Sequence, residues 1–111
     1  MDLFNEIQEL SKKLNTSLKQ LRKTGADYAK AYTDYRMALA KELLILKDEG
    51  YAISLAGDIA RGKREIAHLK FEEISKEAIY KANQESINVL KLQIKILSTQ
   101  LDKEYNADLP D

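Results

Sequence analysis

The chain has 111 residues, a single-domain length, and its 18 Lys/Arg balance 18 Asp/Glu to a formal net charge of zero. Zero net charge argues against a strongly basic nucleic-acid binder and equally against an acidic nucleic-acid mimic. With no cysteine, no tryptophan and one histidine, disulfides, thiolate metal sites and thiol catalysis are excluded, while 44% hydrophobic residues permit a packed core.

Asp2 is placed to cap a first helix, with Glu6 in its first turns. Leu3, Ile7, Leu10, Leu14, Leu18 and Leu21 then recur at helical spacing. The pattern Ile7, Leu14, Leu21, Tyr28, Tyr35 passes through Gly25 without losing phase, so one helix over about 2–48 is expected, with a kink allowed at Thr24-Gly25. An interior glycine costs roughly 1 kcal/mol, which so long a helix absorbs. The seam continues as Tyr28, Tyr32, Tyr35, Leu39, Leu43 and Leu46, and Gly50 is expected to end it in the left-handed conformation. Residues 50–62 form a connector. Ser54 is expected to cap a short helix over 55–61, Leu55 and Ile59 to pack down from it, and Gly62 to end it. From 63 to about 105 no glycine or proline interrupts a third helix. Its first half is apolar at Ile66, Leu69, Phe71, Ile74, Ala78, Ile79 and Ala82. Its second half carries Ile87, Leu90, Ile94, Leu97 and Leu101 on one face and Val89, Leu92 and Ile96 on the opposite one. Residues 90–96 also alternate as a strand would, but no turn residue bounds them, which favours helix. The tail 106–111 is expected to fray.

The sequence therefore predicts an all-α single domain. Two helices of about 43–47 residues are rods of roughly 65–70 Å, and a short connector folds them into an antiparallel hairpin. A hairpin covers one stripe on each rod. It is expected to leave wet both Val89, Leu92 and Ile96 and the broad Tyr/Leu face around residues 28–46, and each such side chain forfeits ~1.5–3 kcal/mol. A homodimer forming a four-helix assembly, with Val89, Leu92 and Ile96 at its interface, is the expected remedy.

No enzyme is expected. His68 has no second histidine or cysteine to join it, and Asp27, Asp34, Glu72, Glu73 and Glu77 carry no motif spacing for acid–base or metal work. Phosphate-binding, nucleophile-elbow and zincin motifs are lacking, and no cofactor or metal is expected. No apolar run approaches the ~18 residues of a membrane span. The start MDLFNEIQELSKK lacks the layout of a signal peptide, so the cytoplasm is the expected compartment. Lys12, Lys13, Lys19, Arg22 and Lys23 cluster on the first helix and are the candidate contacts for nucleic acid, expected to be weak. Tyr28, Tyr32, Tyr35 and Tyr51 could stack on bases, but three of them fall where the seam needs apolar bulk. Asp58, Arg61, Lys63 and Arg64, at the connector, are the candidate partner-facing charges.

Tyr35-Arg36-x-Ala38-Leu39-Ala40-Lys41, the connector Asp58-Ile59-Ala60-Arg61-Gly62 and the later Ser86-Ile87-Asn88 with Leu90 carry a resemblance. Over residues 28–100 the chain resembles small early-region helical proteins of phages and prophages of Gram-positive bacteria. The resemblance implies an accessory role in phage replication, recombination or counter-defence in the bacterial cytoplasm. The expected activity is binding to a host or phage protein, either inhibiting a host nuclease or defence complex or scaffolding recombination proteins. The alternative is binding nucleic acid through the basic clusters.

Overall fold

The computed structural model describes residues 2–107, which form three helices and no strand. These are α1 (Leu3–Asp48), α2 (Ile53–Gly62) and α3 (Arg64–Ala107). The dual-period stretch 90–96 is helical. The third helix continues to Ala107, two residues past its expected end, and the rest of the expected frayed tail lies outside the described residues.

Local chemistry accounts for the ends. Asp2 Oδ1 accepts the Asn5 N–H at 2.8 Å and caps α1. At the far end Gly50 adopts φ 95°, the Gly50 N–H donates to the Lys47 carbonyl at 3.0 Å, and the Tyr51 N–H donates to the Leu46 carbonyl at 3.2 Å. That pair of bonds is a Schellman motif, and it satisfies carbonyls that the helix end would orphan. Gly25 breaks nothing. The helix runs through it, and a β-carbon there would lie 3.1 Å from Tyr80 Cε1. Glycine at 25 lets the Tyr80 ring rest against the α1 backbone.

The second helix departs from expectation. It starts at Ile53 after an extended Ala52, whose side chain offers no cap bond, so Ser54 lies inside the helix rather than capping it. Gly62 is still helical and takes no positive φ. The break is Lys63, extended at φ −68° and ψ 140°. Its N–H donates to the Ala60 carbonyl and its own carbonyl accepts the Ala67 N–H, so one residue closes α2 and opens α3. With the start moved to Ile53, Ala56, Gly57 and Ala60 are the buried positions, Leu55 is exposed and Ile59 only half-buried. Small side chains there permit close helix approach.

The described chain comprises two compact units, residues 24–80 and residues 2–23 with 81–107. In the 24–80 unit, Tyr35, Leu39, Leu46, Ala56, Ala60 and Ile66 form the core, with Leu43, Ile59 and Leu69 packed against it. Tyr28 meets Tyr80 with ring centroids 6.0 Å apart. Lys70 Nζ lies 4.8 Å above the Tyr35 ring and donates to Glu73 Oε2 at 2.8 Å, and Lys63 pairs with Glu42. In the other unit Ile87 and Leu90 are buried, and the Asn83 side-chain amide donates to the Ser17 carbonyl at 3.0 Å.

Two runs of the seam differ from expectation by a shift of face. On α1, Ser17 and Ala31 are half-buried while Leu18 and Tyr32 are exposed. On α3, Glu73 and Asn83 are buried while Phe71, Ile74, Ala78, Ile79 and Ala82 are exposed. A strict three–four alternation explains both. Leu14 to Leu21 is one heptad, so the position between them is 17 rather than 18. Likewise Ile66, Leu69, Glu73, Tyr80, Asn83, Ile87 and Leu90 hold one register. A helix cannot rotate its buried stripe midway merely because apolar residues sit beside it.

Candidate interaction surfaces

The connector charges are close but engaged. Arg61 Nη1 lies 3.8 Å from Asp58 Oδ1 one turn away, and both side chains are exposed. Lys63 does not project as a free cation. Its hydrogen bond to Glu42 raises its pKa above the ordinary lysine value. Arg64 is exposed at the start of α3. The four expected partner-facing residues are thus an intrahelical pair, a link to α1 and one further cation.

The α3 row expected to be wet is wet. Val89, Leu92 and Ile96 are 43%, 57% and 55% exposed. Leu92, Lys95, Ile96, Thr99, Gln100 and Lys103 line a shallow hollow of about 400 Å³. Ile94 and Leu97, between and beside them, are half-buried with Ile87 and Leu90. This half of α3 therefore presents two apolar faces, one of them packed.

Lys12, Lys13, Lys19, Arg22 and Lys23 are all exposed on α1. Lys12 pairs with Glu9 at 3.4 Å, which diverts part of that field. The tyrosines divide by environment. Tyr35 is core, Tyr28 is half-buried against Tyr80, and Tyr32 and Tyr51 are exposed. Gly25, Tyr28, Ala29, Tyr32, Thr33 and Tyr80 border an open hollow with no charged side chain in its lining. A strand of nucleic acid needs cations beside its stacking rings, and the lining of this hollow contains none.

His68 is exposed. Among the described residues no group of three or more His, Cys, Asp or Glu could hold a metal ion. Of the five candidate carboxylates, Asp34 accepts from Lys30 at 2.6 Å and Glu73 from Lys70. Among the described residues no helix is long and apolar enough to cross a membrane.

The apolar corner between α1 and α2 is the feature that sequence reading passed over. Met37, Leu44 and Ile53 are exposed there, around Ala40 and Lys47. Its signal lay in Met37, Ala40 and Leu44, a second row at spacings of three and four on the side of α1 away from Tyr35, Leu39 and Leu46. No protein-family model, curated protein or solved structure matches the chain.

Proposed function

We propose that the chain is a non-enzymatic protein-binding module whose long helices form an antiparallel hairpin, and which pairs with a second copy of itself through Val89, Leu92 and Ile96. The carrying observation is the exposed second apolar face of α3 at those residues. Contact order supports the hairpin: in the 24–80 unit, partners Tyr28–Tyr80, Tyr35–Lys70 and Glu42–Lys63 descend α3 as they ascend α1.

In a phage setting, such a module would act in the host cytoplasm on a defence nuclease or a recombination protein. The test is a spin label at Gln93→Cys, the chain's sole cysteine. Dipolar broadening that disappears on dilution with unlabelled chain is expected. Its absence at every concentration would contradict self-pairing through this face.

A further inference from the structure

Met37, Ala40 and Leu44 lie on the side of α1 turned away from the buried Tyr35, Leu39 and Leu46. Ile53, the first residue of α2, stands beside them. Ala40, Leu43, Leu44, Lys47, Ile53 and Ala56 line a hollow of about 380 Å³. Met37, Leu44 and Ile53 are 67%, 68% and 75% exposed, the three most exposed large apolar side chains among the described residues. Water is a poor solvent for such a cluster, and its concavity suits an inserted side chain.

Cations frame the hollow. Arg36 lies one turn before Ala40, Lys47 one turn after Leu43, and Lys41 along the outer edge. All three are exposed, and none joins an ion pair among the described residues. The start of α2 adds to this positive rim. No side chain caps it and no acidic residue occupies its first turn, so its opening N–H groups keep their partial positive charge. Against these stand Asp48 and Glu49, where α1 ends.

We propose that this α1–α2 corner is a docking site for an acidic amphipathic helix of another protein. An apolar ridge at spacings of three and four fills the hollow. Flanking carboxylates meet Arg36, Lys41, Lys47 and the open end of α2. A second copy of this chain fits poorly, because a two-fold axis through the patch would bring the same three cations face to face. The site rests on the assignment of the chain as a protein-binding module, but it lies on a different surface from the self-pairing row of α3.

The experiment uses the full chain and a labelled synthetic helix with Leu at every third and fourth position and Glu on its flanks. Its partners for comparison are the same helix with Lys for Glu, and vesicles of anionic phospholipid. Fluorescence anisotropy should show the acidic helix binding at least tenfold more tightly than the basic one, with affinity falling as salt rises. Leu44→Asp with Ile53→Asp should abolish binding, and reversing Arg36, Lys41 and Lys47 to Glu should invert the preference between the two peptides. The charge-reversed chain keeps its apolar hollow, so inversion reads charge recognition rather than folding. Self-association by light scattering should be unchanged in both variants, which separates this site from the α3 row. Equal affinity for the two peptides, insensitivity to the variants, or binding to vesicles but to neither peptide would overturn the proposal.

Discussion

At the residue scale, the informative positions are those where a side chain was chosen for its neighbour. Gly25 has the space problem of a ring seat: a methyl group there must push Tyr80 aside. Helix propensity favours alanine by roughly 1 kcal/mol, and the displaced ring opposes it. Gly25→Ala alone should therefore leave stability within about 1 kcal/mol of the parent. In a Tyr80→Ala background the same change should stabilise by about 1 kcal/mol, so a double-mutant cycle by urea unfolding should show coupling. Additivity would show that the ring does not rest on Gly25. Glu73 is a buried carboxylate of the 24–80 unit, and it accepts a hydrogen bond from Lys70. The hydrogen bond to Glu73 raises the Lys70 pKa above its ordinary value. A raised lysine pKa contributes stability that is complete below the unfolded value of about 10.4 and is lost as pH climbs through the folded value. Lys70→Met should thus destabilise at neutral pH, by about 1 kcal/mol because Lys70 is half exposed and water partly replaces it. The difference between variant and parent should shrink at strongly alkaline pH, where the parent lysine loses its proton. A difference that stays unchanged there would show that the charge of Lys70 is not what stabilises the parent.

At the element scale, the sequence marked helix existence well and the rotation of helix faces less well. A seam that keeps its phase through Gly25 announced α1, a long stretch without glycine or proline announced α3, and the left-handed Gly50 announced the turn after α1. The second half of α3 was legible to the side chain, because Ile87 and Leu90 on one face and Leu92 and Ile96 on the other leave no second solution. The first half was not. Phe71, Ile74 and Ile79 are more apolar than Glu73, Tyr80 and Asn83, so counting hydrophobicity selects the wrong stripe. Register is held by the ends of a helix, while hydrophobicity is read locally. The short α2 was misplaced for a similar reason: Ser54 offers a capping side chain, but the helix opens two residues earlier at Ala52 without one. This leaves room for improvement. Ala52 already has the extended backbone of an N-cap, so Ala52→Asp should stabilise by about 1 kcal/mol. Thermal unfolding checks it, and an unchanged or lowered Tm would mean that α2 is not capped from position 52.

At the scale of the whole molecule, the behaviour of the chain depends on where its apolar surface goes. The dimer expectation arose from a sequence pattern, two faces on one helix, and the structure leaves Val89, Leu92 and Ile96 uncovered. The charged candidates were harder to foresee. Lys63 meets Glu42 from 21 positions away in the chain, a pairing that linear spacing does not reveal. The hollow between α1 and α2 likewise depends on how Ile53 is set beside Leu44, which no single-helix periodicity contains. Light scattering coupled to gel filtration reads self-pairing through α3. The parent chain at micromolar concentration should give twice the chain mass, and Leu92→Asp with Ile96→Asp should give the single-chain mass with an unchanged helical spectrum. A parent that elutes as a fully helical single chain would contradict self-pairing through α3.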